Sequence, residues 1–368
     1  MMKPQDTLTY KDIMEIPALL EDFSRRASAL KAGALRSKDK AVYLVGRGSS
    51  GNATLFAKYI WEGYSGVITN FIHPHSIFEA RVPLRFRDQV VWAFSQSGRS
   101  PDVAACVKKL MGWGAKSVAV TNEADLRNNP LARLADTHIL LSGSKEVPVA
   151  ATKSFILQLW AVLWTAQNWS GCFKTKDFSG TVSLIREFLA SEFDPSGAGF
   201  WPRLRNAGVI GFVGRGPYNA VADDSALKFR EMAKAHALGY SAAEFLHGPV
   251  GAYTSKDFVF LFSPSGKLPE DMEKVRLALK ERKTPYRVIA PAKGKFPFNC
   301  LLADIEKVRL ALNDRKTPYC VIAPAKGKFP FNCLLADIEM KLIALHLALA
   351  KGLNPDNPKG LNKVTQTF

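Results

Sequence analysis

Ser95-Gln96-Ser97-Gly98-Arg99-Ser100 puts three hydroxyls and an amide within six residues, directly after the apolar run Gln89 to Phe94. Pro101-Asp102 follow and suit the first turn of a helix. Hydroxyls that converge with free N–H groups of a helix N-terminus, at the carboxyl end of a buried strand, make a phosphate cradle. One serine in such a place would ordinarily cap the helix. Three with a glutamine favour binding. An earlier turn, Gly46-Arg47-Gly48-Ser49-Ser50-Gly51, fits the dinucleotide pattern G-x-G-x-x-G. The following strand region, Val67 to Phe71, offers no acidic residue to hold a ribose, so the turn reads as a close approach to an anion with Ser49 and Ser50 as donors.

A second kind of chemistry is concentrated later. Asp224, Lys228 and Glu231 fall at i, i+4 and i+7 and would share one helix face, a pattern that a common surface salt-bridge ladder also gives. Glu244-Phe245-Leu246-His247-Gly248-Pro249 sets a histidine in a turn. A carboxylate and a histidine near a sugar phosphate would supply the proton-moving groups of aldose–ketose chemistry.

The elements that must position these groups form a doubling at an offset of 168. Val45-Gly46-Arg47-Gly48 recurs as Val213-Gly214-Arg215-Gly216, Phe94-Ser95-Gln96-Ser97-Gly98 as Phe262-Ser263-Pro264-Ser265-Gly266, and Leu134-Ala135-Asp136 as Leu302-Ala303-Asp304. Apolar runs such as Ala41 to Val45, Gln89 to Phe94 and Ser117 to Thr121 end in Gly/Ser turns and alternate with helical stretches such as Pro101 to Trp113. This predicts two α/β halves, each a doubly wound parallel sheet. In the second half Pro217-Tyr218 and Pro264 stand where the first has Ser49-Ser50 and Gln96, so that half should keep the turn and lose the donors. Residues 169–205 separate the halves and should include a helix near Val182 to Ser191.

A second repeat is nearly identical. Residues 273–305 recur at 306–338 with three changes: Lys280 to Asn313, Glu281 to Asp314 and Arg287 to Cys320. Each copy holds one short strand, Val288-Ile289-Ala290 or Val321-Ile322-Ala323. One sheet position accepts only one of them, so the other must extend the sheet or lie outside it. Two copies are too few for a solenoid.

At 368 residues and 47% hydrophobic content the chain is a globular protein with room for both halves. It has no apolar stretch of membrane-spanning length and no signal-peptide pattern at residues 1–17, so a cytoplasmic protein without a membrane partner is expected. Five cysteines lack Cys-x-x-Cys spacing and six histidines lack a cluster; reduced thiols and no metal or other cofactor are expected. The net charge of +17 is spread along the chain without a nucleic-acid motif, and the second copy of the tandem repeat contributes +3 of it. Steering of an anionic metabolite is favoured over nucleic acid.

These residues resemble the sugar isomerase (SIS) family, specifically the double-SIS isomerase part of glutamine–fructose-6-phosphate aminotransferase and its stand-alone glucosamine-6-phosphate deaminase relatives. The carrying motifs are Gly46 to Ser50, Ser95 to Gly98, Glu146-Val147-Pro148-Val149-Ala150-Ala151-Thr152-Lys153, Ala226 to Glu231, Glu244 to Pro249 and the tail Gly360-Leu361-Asn362-Lys363-Val364-Thr365. The resemblance implies two flavodoxin-like, three-layer αβα SIS halves: an N-terminal helical segment 1–40, domains 41–170 and 206–350 joined by 171–205, and an active-site tail 351–368. It implies that Ser95, Gln96, Ser97 and Ser100 hold the sugar phosphate, while Ser49, Ser50, Val149, Ala151, Thr152 and Lys228 complete the substrate site. It further implies Glu231 as the base between C1 and C2, His247 as the ring-opening residue reaching into the neighbouring subunit of a homodimer, and Lys363 as the imine-forming lysine. The chain begins at the isomerase part, without a glutaminase domain. Asp224 stands where the aminotransferase pattern has Glu, and Arg99 where its loop has Glu. The Ser-Gln-Ser-Gly-x-Ser-Pro-Asp form and the Asn-Pro-Asp-x-Pro tail resemble the deaminase group. A glucosamine-6-phosphate deaminase is therefore the leading expectation. The rivals are another phosphosugar isomerase or deglycase, a glutaminase-less aminotransferase-type isomerase, and a non-catalytic sugar-phosphate sensor. The tandem repeat lies between His247 and Lys363, and could displace that lysine from the site.

Overall fold

The computed structural model describes residues 2–27, 41–191, 200–264, 268–290, 321–322 and 328–363. The chain divides into two compact units, Ala18–Thr175 with Gly360–Phe368, and Met1–Pro17 with Lys176–Lys359. The first is built on strands β1 (Val42–Gly46), β2 (Thr69–Phe71), β3 (Val90–Phe94), β4 (Lys116–Thr121) and β5 (Thr137–Leu140). All run parallel, in the order β2-β1-β3-β4-β5. Between and around them come helices α1 (Leu8–Met14), α2 (Ile16–Ala27), α3 (Gly48–Ser65), α4 (Pro74–Phe78), α5 (Pro101–Gly112), α6 (Pro130–Leu134) and α7 (Lys153–Ser170), of which α1 belongs to the second unit.

Strand β3 is buried throughout because both faces are covered, which is why it reads as a continuous apolar run. Val91 and Ala93 point to the face closed by Val103, Cys106, Val107 and Leu110 of α5. Trp92 points to the other, where it meets Trp61 of α3 edge-on at 4.9 Å and Trp169 of α7 at 5.8 Å. Trp61 Nε1 donates to Val162 O at 3.1 Å, which satisfies its one polar atom inside this aromatic layer.

The second unit repeats the plan. After α8 (Thr175–Ala190) and α9 (Phe200–Arg205) come β6 (Ile210–Gly214), α10 (Pro217–Ala233), β7 (Ala237–Ser241), α11 (Ala242–Leu246), β8 (Phe258–Phe262), α12 (Glu270–Glu281), β9 (Tyr286–Ile289), β10 (Val321–Ile322) and α13 (Asn332–Ala350). The parallel sheet has the order β7-β6-β8-β9-β10. Adding 168 to the bounds of β1 and β3 gives those of β6 and β8, so the doubling read from short motifs is a doubling of strands. The faces repeat as well: Val259 and Leu261 pack toward α12, while Phe260 meets Phe229 of α10. The expected connecting helix is α8, and both doubly wound sheets are present. Ser265, Gly266 and the third match, Leu302 to Asp304, lie outside the described residues.

The tandem repeat is split between roles. The first copy supplies most of α12 and all of β9; the second supplies β10 and the start of α13. Strand β10 pairs with β9 so that Val321 faces Val288 and Ile322 faces Ile289, each residue opposite its own duplicate. Of the two outcomes open to the extra strand, extension of the sheet is the one adopted.

Candidate active site

The cradle begins where β3 ends. Ser95 is 3% exposed, and its Oγ accepts from Gly98 N at 3.1 Å and lies 3.3 Å from Ser100 Oγ. Gly98 has φ +66°, and a Cβ there would fall 1.8 Å from Asn129 Oδ1, so the turn closes against Asn129 only without a side chain. Asn129 is itself fixed, donating to Thr121 Oγ1 and Glu123 O, both at 2.7 Å. Arg99 turns away and donates through Nε to Asn128 O. Ser100 is the N-cap of α5, yet its side chain makes no capping bond. Ser100 therefore does not cap α5; Pro101 has no N–H and Val103 N donates to Asp102 Oδ1, so the first-turn N–H without a bond among the described residues is that of Asp102. Gln96 and Ser97 are partly exposed in the same turn.

Ser49 and Ser50 lie beyond the carboxyl end of β1, which pairs directly with β3. In the order β2-β1-β3, successive connections leave these two strands in opposite directions, and the crevice at their ends is where open α/β sheets bind ligands. Ser50 Oγ accepts from Gln158 Nε2 of α7 at 2.9 Å. Ser49 Oγ is buried and makes no hydrogen bond among the described residues.

The loop before α7 is organised by Glu146. Its carboxylate is buried and accepts from Thr152 N at 2.8 Å, Ser154 N at 3.1 Å and Ser154 Oγ at 2.6 Å. Lys363, in the tail, donates to Glu146 Oε2 at 3.2 Å and to Pro148 O at 2.6 Å. Burial pushes the Glu146 carboxyl up, but Lys363 and the bonds from Ser154 and Thr152 together hold it below its ordinary value. Despite the tandem repeat, Lys363 is thus seated in the first unit on the loop that carries Val149 and Ala151, both partly exposed. Thr152 is fully buried with its hydroxyl toward Glu146, so it shapes the loop.

In the second unit Lys228, with 1% of its side chain exposed, donates to Glu231, whose side chain is 20% exposed. Asp224, on the same face of α10, pairs with Lys341 of α13. The row Asp224, Lys228, Glu231 is therefore a helix face packed inward at one end and open at the other. His247 is exposed at the C-cap of α11, and no hydrogen bond among the described residues joins it to Glu231. At the place of Ser50, Tyr218 is buried and stacks on Phe262, while Pro264 O is taken by Asn332 Nδ2. The second unit keeps the turn but fills it.

Sequence reading missed Lys341 and Asp337, buried together on α13. Their signal was an acid and a base four apart in a mostly apolar 19-residue helix. Among the described residues no group of three or more His, Cys, Asp or Glu could hold a metal, and no helix is long and apolar enough to cross a membrane.

A family model described as the SIS domain matches residues 35–166 and 203–295. The chain is 31% identical to glutamine–fructose-6-phosphate aminotransferase (isomerizing) of Aeropyrum pernix, over 96% of this chain and 54% of that protein. It thus spans about half the length of the curated relatives it matches. Among solved structures, the C-terminal domain of glucosamine-fructose-6-phosphate aminotransferase from Francisella tularensis superposes with a TM-score of 0.74 at 21% identity, covering 95% of this chain and 98% of that one. Glucosamine-6-phosphate deaminase from Thermotoga maritima superposes with a TM-score of 0.70 at 20% identity, covering 98% and 100%. At these identities the two structures establish likeness of fold.

Proposed function

The chain belongs to the SIS domain family, and from that premise we propose that it is a phosphosugar aldose–ketose isomerase of the deaminating kind, acting on glucosamine 6-phosphate. The observation that carries this reading is the cradle at the ends of β1 and β3. There, the Ser100 hydroxyl that does not cap α5, the unsatisfied buried Ser49 hydroxyl and the N–H of Asp102 supply donors to an anion. Ser95, Gln96, Ser97 and Ser100 take the phosphate; Ser49, Ser50, Val149 and Ala151 border the sugar.

Chemistry is assigned to the second unit and the tail. His247 opens the ring to the free aldehyde, acting across a homodimer. Glu231, ion-paired with Lys228, removes the C2 proton, giving a C1–C2 enolamine and a carboxylic acid. Returning that proton to C1 yields the 2-imine of fructose 6-phosphate. Water adds at C2 and the C–N bond breaks, releasing ammonia and the ketose. Lys363, bonded to Glu146, is assigned as the imine-forming lysine.

The test is ammonia and fructose 6-phosphate release from glucosamine 6-phosphate by the purified protein. Ammonia no higher than that from a Glu231→Gln control would exclude the deaminase. Product profiling over other phosphosugars separates it from an isomerase or deglycase, and sedimentation at working concentration tests the homodimer.

A further inference from the structure

Behind Glu231 the second unit buries a row of charges for which the reaction above has no use. Lys341 of α13 donates to Asp224 of α10 at 2.8 Å and also to Asp337, one turn earlier on its own helix; all three side chains are fully buried. Lys228 donates to Glu231.

Lys228 has two carboxylates within reach on its own helix. Asp224 precedes it by four residues and Glu231 follows by three, both spacings that bring opposite charges together. An acid four residues before a lysine is the more favourable arrangement on a helix, yet the ammonium sits on Glu231. What distinguishes the two acids is Lys341. It neutralises Asp224 from the neighbouring helix, in an interior where an uncompensated carboxylate is strongly disfavoured.

Resting on the reading of Glu231 as the base, we propose that Lys341 is its positioning residue: by neutralising Asp224 it leaves Lys228 to Glu231, and Lys228 holds that carboxylate in one orientation. Lys341 is fully buried, so it acts through Asp224 and Lys228 and does not touch substrate. Asp337 completes the array. Three carboxylates and two ammoniums leave one acid over; burial pushes Asp337 up to about 7 against the pull of Lys341, and it takes the odd proton near neutrality. The other titratable groups in electrostatic reach are Cys333 on α13, raised by burial and by Asp337, and Asp223 on α10, raised by burial to about 6. A buried ion cluster could instead serve register alone, and the two roles separate by experiment.

Lys341→Met removes the cation and keeps the bulk. A crystal structure of this variant should show Lys228 Nζ on Asp224 and no longer on Glu231. Its kcat should fall about tenfold or more, with KM within about twofold. Adding Asp224→Asn removes the acid that captures Lys228. The double variant should regain the Lys228–Glu231 pair and a kcat within about threefold of wild type. A Lys341→Met structure with Lys228 still on Glu231, or a folded double variant as slow as the single, overturns the proposal. Should Lys341→Met not fold, the double variant decides alone by the same two readouts. If the wild-type protein turns over no phosphosugar, the functional reading fails, while the place of Lys228 in the variant structures still decides this inference.

Discussion

Lys363 and Glu146, 217 residues apart in the chain, are joined by an ion pair of 3.2 Å in which the carboxylate is fully buried and the lysine is 26% exposed. The tail is therefore anchored at the centre of the loop that also carries Val149 and Ala151. One carboxylate serves the loop backbone and the lysine together, so loop shape and lysine placement are coupled.

Breaking that coupling should cost both stability and activity. Glu146→Gln keeps the shape and loses the charge, and is expected to destabilise the protein by about 2–4 kcal/mol at pH 7. The folded carboxyl lies below its ordinary value of 4.5, so its contribution is full above pH 4.5 and is lost as pH falls through the lower folded value. Denaturant titrations at several pH values should show the gap between wild type and variant closing on the acid side only.

Gly98→Ala tests the cradle. The new methyl meets Asn129 Oδ1 at 1.8 Å in a backbone conformation of φ +66°. Asn129 cannot yield without losing its bonds to Thr121 and Glu123. Phosphosugar affinity, measured by calorimetry, should fall at least about tenfold, in line with ~1–3 kcal/mol of backbone strain. Asn129→Ala in the same chain should return little of it, because the strain at φ +66° persists.

Ser49→Ala should separate binding from stability. The hydroxyl is buried without a hydrogen bond among the described residues, so folding loses nothing by its removal. Thermal stability should change by less than about 0.5 kcal/mol, or rise slightly. Affinity for the phosphosugar should fall, and an unchanged affinity would remove Ser49 from the site.

Glu339 predicts an opposite pH trend in the second unit. Burial pushes its carboxyl up to about 8, against the pull of Arg287, and neither oxygen makes a hydrogen bond among the described residues. The folded state holds this proton longer than the unfolded chain does, so stability falls as pH rises from 4.5 toward 8, by at most about 1.4 kcal/mol per pH unit. Glu339→Gln should flatten that slope in denaturation series between pH 5 and 8.

Local pattern was enough to reveal the halves, the four strand positions related by 168 and the serine cradle. Buried parallel strands leave continuous apolar runs, and turns that approach an anion need glycine and hydroxyls within a few residues. Those signals survive in the sequence because each is written within one element. The fate of the tandem repeat was not local: two strands of the same pattern compete equally, and only hydrogen bonding along the edge of β9 set Val321 against Val288. Nor was the seat of Lys363 local, since the tail had to return across 217 residues to Glu146. The Lys341–Asp224 contact spans 117 residues between two helices whose own periodicities show only that both are buried there. Sequence by itself supplied the side chains proposed to bind phosphate and move a proton. Tertiary packing decided which charges neutralise which, because that choice depends on desolvation and on partners brought from distant segments.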